Sequence, residues 1–181
     1  MDPDVQCNKE EPGMQEVMEK FKESMGRLAA GVTVVTTEVD GRPWGTTVSA
    51  CCSISMDPPM LMVSLFTKNA STEAIKEQQQ FGVSILSDEQ TSIAKAGAKP
   101  GAPKFFEDFV ERDSAEKTYI VKNALAHVHC KVDKTVVAGD HTIFIGLVEN
   151  VNLGEFKQPL LYFHREFGSF TTGTERKETV V

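Results

Sequence analysis

From Met14 onward, apolar residues recur at three- and four-residue steps. Met14, Val17, Met18, Phe21, Met25 and Leu28 share one face of a predicted helix, with Gly31 as its expected stop. The period then changes. VTVVTT (32–37) is β-branched throughout and predicts a strand, Asp40-Gly41 is a hairpin turn signal, and WGTTVSA (44–50) is the returning strand. Asp57-Pro58-Pro59 breaks the chain before MLMVSLF (60–66), a short apolar run of buried-strand character. STEAIKEQQQ predicts a helix opening near Asn69 or Ser71, and FGVSIL (81–86) another strand. Ser87 with Gln90 three residues on has the form of a capping box, starting a helix that runs to about Ala96. AKPGAPKFFEDF reads as loop. In ALAHVHCKVD the alternation puts Ala126, Val128, Cys130 and Val132 on one strand face. His127, His129, Lys131 and Asp133 fall on the other, read as solvated. HTIFIGLVENVNL and PLLYF complete the set.

These elements amount to about six or seven strands joined mostly by short turns, with two or three helices added. Strands and helices do not alternate in the parallel manner, and nothing repeats. A small antiparallel barrel with peripheral helices is the expected architecture. One domain over residues 14–170 is expected, between a disordered arm (1–13) and a disordered tail (171–181).

Composition narrows the function. At 181 residues the chain can close one sizeable core, and its 40% hydrophobic and 25% charged content is ordinary for a globular protein. A formal net charge of -7 argues against nucleic acid as the partner, while leaving room for a local basic patch. No stretch approaches the roughly 18 apolar residues of a membrane helix, so no membrane partner is expected. The acidic opening MDPDVQCNKEEPG has neither signal-peptide nor transit-peptide character, and the chain reads as cytoplasmic.

Cysteines at 7, 51, 52 and 130 form no disulfide framework or zinc spacing. Adjacent strand residues point to opposite faces, so Cys51 and Cys52 do not converge on one ion. A disulfide between them would be strained, and they are read as buried or half-buried structural thiols. His127 and His129 share a face but lack a third ligand, and Lys131 beside them repels a cation, so no metal is expected. Dinucleotide, P-loop and nucleophile-elbow fingerprints are all absent.

TTVSACCSIS (46–55) is different: its side chains are nearly all small, so a flat ligand can approach the main chain. Downstream, Lys68-Asn69-Ala70-Ser71-Thr72 sets a cation and capping side chains at a helix start, the makings of a phosphate site. Together they suggest a flavin mononucleotide. A strand running into a Pro-Pro loop and then an ordinary N-cap accounts for the same residues.

Several blocks carry a family likeness. GRLAAGVTVVTT, DGRPWGTTVSACCSISMDPPMLMVSL, FGVSILSDEQ, GDHTIFIGLVE and PLLYFHREFG resemble, in order and spacing, the flavin reductase-like family. Its members are the small reductase partners of two-component flavin-dependent monooxygenases. The resemblance runs from about Phe21 to Phe170 and implies a mainly β fold, a split antiparallel β-barrel (the FMN-binding split barrel) with peripheral α-helices, usually a homodimer. It implies that Thr47, Val48, Ser49 and Ala50 lie along the isoalloxazine ring, with Thr46, Cys52 and Ser53 close by. Leu65, Phe66, Lys68, Asn69, Ser71 and Thr72 would hold the ribityl chain and phosphate. Gly139, Asp140 and His141 would border the nicotinamide side, and Tyr162, Phe163 and Phe167 would line the same cleft. Many relatives read Y-F-R-G-R where this chain has Tyr162-Phe163-His164-Arg165-Glu166, so Arg165 is the candidate substitute for the missing charge. Relatives also often carry F-A after the FGVSIL helix, where this chain has Ala94-Lys95-Ala96-Gly97.

The implied activity is an NAD(P)H:flavin oxidoreductase. NADH or NADPH gives hydride to FMN or FAD, His141 positions the nicotinamide or shields the reduced ring, and free reduced flavin passes to a separate monooxygenase. Two alternatives stay open: a split-barrel flavoprotein acting as oxidase or electron carrier, and a non-enzymatic thiol or ligand sensor using Cys51 and Cys52.

Overall fold

A computed structural model describes residues 13–99, 101–112 and 118–171. The expected arm up to residue 12, with Cys7, and the expected tail beyond residue 171 lie outside the described residues. In chain order the elements are α1 (Met14–Gly26), β1 (Ala30–Gly31), β2 (Thr33–Val39), β3 (Arg42–Val48), β4 (Cys51–Met56), β5 (Pro59–Phe66) and α2 (Ala70–Gln78). There follow β6 (Gln80–Ile85), a 3-10 turn (Asp88–Gln90) leading into α3 (Thr91–Ala98), β7 (Val110–Arg112), β8 (Tyr119–Val121), β9 (Ala126–Ala138), β10 (His141–Leu153), β11 (Leu160–Phe163) and β12 (Glu166–Ser169).

Seven strands form the main sheet, in the order β3-β2-β6-β9-β10-β5-β4, and every pairing is antiparallel. The two outermost strands, β3 and β4, are consecutive in the chain, separated only by Ser49 and Ala50. The sheet therefore curls until its edges meet at that link, where Ser64 N–H donates to Ala50 C=O at 3.0 Å. This mainly β, barrel-like architecture agrees with the split barrel that the resemblance implies. Beyond the strands expected, the described residues add β1, β4, β7, β8 and β12, and β4 starts directly after the Ser49-Ala50 link that ends β3.

The interior holds Val35, Val63, Leu65, Ile75, Phe81, Val83, Cys130 and Phe144. A second apolar layer, including Val32, Val34, Leu86, Phe106, Tyr119, Val121 and Leu160, packs on the outside. Because β2 and β6 sit between these layers, the sheet is buried on both faces there. That corrects the reading of His127 and His129 as a solvated face: they are 2% and 3% exposed. Strands β7 and β8 lie over the His127 end of this layer. Thr36 Oγ1 donates to Tyr119 C=O at 2.6 Å, and Ser84 Oγ accepts Val121 N–H at 3.1 Å while bonding His127 Nδ1 at 2.9 Å. His129 Nε2 lies 3.4 Å from Glu149 Oε2. Polar alternation here marks a hydrogen-bonded buried layer.

Local signals fare better. Asp40 and Gly41 both adopt positive φ, 51° and 73°, the turn that joins Val39 to Arg42. Asn69 caps α2, its Oδ1 accepting Ser71 N–H at 3.2 Å. Gln90 Oε1 accepts Ser87 N–H at 3.0 Å, the Gln half of the capping box. Helix α1 ends at Gly26, earlier than the expected stop, and Gly31 instead pairs with Leu161 in a strand. None of its residues is buried, so its apolar face does not pack inside its own chain.

Candidate functional site

Strand β3 carries the expected ring platform across one side of an open cleft. One half, of about 310 Å³, is lined by Thr46 through Ala50 on β3 and its link, by Ser64, Leu65, Phe66 and Asn69 near the end of β5, and by Ala98, Lys104 and His141. A contiguous half of about 270 Å³ shares Thr47, Val48, Ser49 and Ala98 and adds Val32, Tyr162, Arg165 and Phe167. The structure thus gathers residues from five separated parts of the chain around the small-residue stretch. Volumes of this order suit a nucleotide-sized ligand.

The platform is held from behind. Gly97 of α3 sits against Thr47, close enough that a Cβ there would meet Thr47 Oγ1 at 2.3 Å and Thr47 N at 2.9 Å. Thr47 Oγ1 donates to Ala94 C=O at 2.9 Å, and Thr46 Oγ1 bonds Ser71 Oγ at 2.5 Å. Ser49 and Ala50 are exposed, so their main chain is open to a ligand edge.

At the α2 end, Ser71 and Thr72 are fully buried, and Thr72 Oγ1 donates to Phe66 C=O at 2.9 Å. Lys68 is exposed and does not line the cleft. At the β9–β10 turn Gly139 takes φ +61°, and Asp140 C=O accepts Thr67 N–H at 2.9 Å. His141 Nδ1 bonds Asp140 Oδ1 at 2.7 Å, and that bond holds the carboxyl of Asp140 below its ordinary range. The His141 ring meets Phe66 edge-on at 5.9 Å. Of this turn only His141 lines the cleft.

Tyr162 and Phe167 pair across β11 and β12, their rings 5.3 Å apart, while Phe163 is exposed beside His164. The connecting turn, His164-Arg165, has φ of 50° and 66°, and Arg165 lines the cleft. This chain thus holds an arginine in the left-handed region that favours glycine. Cys52 and Ser53 lie on β4, exposed and away from both halves of the cleft. Cys52 is therefore not the buried or half-buried thiol expected from the sequence. Cys51 is half-buried, and burial pushes its thiol up to about 11; Cys130, inside the barrel, is pushed up to about 12 for the same reason.

Val32, Ser64, Ala98 and Lys104 line the cleft without having been expected. Lys104 sits in the stretch read as loop, which is anchored where Trp44 pairs with Phe105 and where Gly45 N–H donates to Lys104 C=O at 3.0 Å. Burial lowers the pKa of its ammonium. Another cavity, of about 320 Å³, is lined by Glu111, Asn123, His127, Asn152 and Lys157 among others and contains none of the expected site residues. Among the described residues no cluster of His, Cys, Asp and Glu could hold a metal ion, and no helix is long and apolar enough to cross a membrane.

Relatives of known activity share this chain's sequence over most of its length. The reductase component of a 4-nitrophenol 4-monooxygenase/4-nitrocatechol 2-monooxygenase from Rhodococcus opacus is 35% identical over 166 residues, covering 89% of this chain and 88% of its own. A flavin reductase (NADH) from Kitasatospora aureofaciens is 37% identical over 150 residues, covering 81% and 78%. The solved structure of the flavin reductase PheA2 superposes with a TM-score of 0.75 at 34% identity, covering 85% of this chain and 98% of that one. Residues 25–171 match the flavin reductase like domain, and the chain belongs to that family.

Proposed function

We propose that this protein is an NAD(P)H:flavin oxidoreductase that reduces FMN or FAD by hydride transfer and supplies free reduced flavin to a separate flavin-dependent monooxygenase. The observation that carries the reading is the cleft itself: a strand of small residues with accessible main chain, open on one side and joined to a second chamber with two aromatic rings. Its relatives named for NADH and for monooxygenase partners support the donor and the destination.

The residues present fit a flavin. Thr46 to Ala50 would seat the ring, with Leu65, Phe66 and Asn69 toward the sugar chain and Tyr162, Phe167 and Arg165 around the nicotinamide. Bound there, the flavin supplies the hydride-accepting chemistry that side chains lack. The chain supplies orientation. Thr47 is fixed to Ala94 and Thr46 to Ser71, so the platform does not have to reorganise when charge builds on the ligand. His141, tied to Asp140 and packed on Phe66, forms a wall that can position the nicotinamide and keep water from one side. Both halves of the cleft open to solvent, as exchange of a ligand at each turnover requires.

A homodimer and a cytoplasmic location belong to the same proposal. The apolar face of α1 is exposed, as are Ile54 and Met56 on β4 and Val136, Val137 and Leu153 on the long β9–β10 hairpin. The three cysteines among the described residues are free, which with a nicotinamide donor fits a reducing compartment.

Purified protein should oxidise NADH or NADPH only when FMN or FAD is added, followed through the loss of nicotinamide absorbance. No flavin-dependent oxidation with either nucleotide removes the reading.

A further inference from the structure

His164 and Arg165 make up the whole turn between β11 and β12, with Phe163 and Glu166 paired across it. A two-residue hairpin turn with positive φ at both positions favours asparagine and glycine. This one holds a histidine at 50° and an arginine at 66°. A large side chain kept where glycine would be relaxed argues that the side chain has a use.

Arg165 stands where two chambers meet. It lines the half of the cleft that holds Tyr162 and Phe167, and it also lines a third chamber of about 360 Å³. Glu19, Lys22, Glu23 and Gly26 of α1, with His164, complete that chamber. These four α1 residues recur at three- and four-residue steps, on a face distinct from that of Met18, Phe21 and Met25. The helix thus turns its charged side toward its own chain. Gly26 C=O accepts His164 N–H at 2.8 Å, which seats the helix end on the turn.

The charges of the third chamber are unevenly committed. Glu23 is paired with Arg27 at 2.5 Å, and Gln15 Nε2 donates to Glu19 Oε1 at 3.3 Å. Lys22 and Arg165 form no ion pair or side-chain hydrogen bond with any described residue. Two cations are therefore left to whatever enters. A nicotinamide dinucleotide is two nucleotide-sized bodies joined by a diphosphate, and two chambers meeting at a guanidinium have the matching form.

We infer that the hydride donor spans both chambers, its diphosphate pairing with Arg165 and its adenosine half lying between α1 and the turn, with Lys22 facing it. This rests on the reductase reading above and extends the site to a helix that supplies none of the flavin platform.

Truncated donors separate the parts. Reduced nicotinamide riboside lacks phosphate and adenosine alike, whereas reduced nicotinamide mononucleotide keeps one phosphate. Both are compared with NADH in wild type, Arg165→Gly, Arg165→Lys and Lys22→Glu. KM and kcat are measured with saturating FMN, dissociation constants by donor fluorescence, and melting temperatures without ligand. In wild type the expected KM for NADH is about tenfold or more below that for the riboside at low salt, and the gap narrows as salt rises. Arg165→Gly loses most of that preference through the KM values of NADH and the mononucleotide, yet melts no lower, because the turn is relaxed. Arg165→Lys keeps part of the preference, and Lys22→Glu weakens NADH alone. Equal losses on all three donors in Arg165→Gly, or unchanged NADH behaviour in either Arg165→Gly or Lys22→Glu, overturn the inference and leave the reductase reading intact. Wild type that oxidises none of the donors with flavin present removes both. If Arg165→Gly fails to fold, Arg165→Asn, which also tolerates the left-handed region, is held to the same outcomes.

Discussion

Single atoms decide whether the thiols are chemistry or packing. Cys51 and Cys130 are pushed up to about 11 and about 12, above the ordinary 9.0, chiefly by burial. At neutral pH both are protonated and poor nucleophiles, which speaks against a thiol sensor built on Cys51. Their titration has a consequence for stability. Above pH 9 the unfolded chain ionises these thiols while the folded barrel keeps them neutral, so the folded state loses ground as pH rises. Each thiol contributes a loss of about 1.4 kcal/mol per pH unit between its unfolded and folded values. Urea midpoints measured from about pH 8 to about pH 10.5 should therefore fall more steeply in wild type than in Cys51→Ser. Parallel slopes would show that Cys51 is not shielded as the structure has it.

Elements show what the pattern of residues could and could not reveal. The Asp40-Gly41 turn and the Asn69 cap were legible because each is a local contract between neighbours in the chain. His127 and His129 were not, since their burial depends on elements distant from β9 in sequence, which no period records. Lys104 was hidden for a related reason: it sits in a segment without periodicity, brought to the platform by the pairing of Trp44 with Phe105. The contact of α3 with β3 tests how tightly such elements fix the site. Gly97→Ala would force Thr47 aside, main chain included. The expected outcome is a loss of about 1–3 kcal/mol in urea denaturation, as for overpacked cores, with weaker flavin binding in the same variant. A variant that unfolds and binds like wild type would mean that α3 can lift away from the platform.

For the whole molecule, the sheet order agrees with the expected barrel, and what the sequence left open concerned what lies outside it. The six apolar residues from Met14 to Leu28 follow a helical period, but periodicity alone does not say whether the covering partner is the same chain. None of them packs inside it, with Met14 at 76% and Leu28 at 63% exposed. Sedimentation or light scattering is expected to return twice the 19.9 kDa chain mass at micromolar concentration. A particle of one chain mass there would refute the homodimer and leave that face needing another occupant.

The link at Ser49-Ala50 joins the first and last strands of the sheet and is also where the ring is proposed to sit. A guest lying on that link touches β3 on one side and the end of β5 on the other, so occupancy and resistance to unfolding rise together, by about 2.7 kcal/mol at a hundredfold excess over Kd. An enzyme that gives its guest away at every turnover therefore spends part of its life in the looser form. When flavin runs short in the cell, the empty fraction grows, and proteases that act on opened chains remove it first.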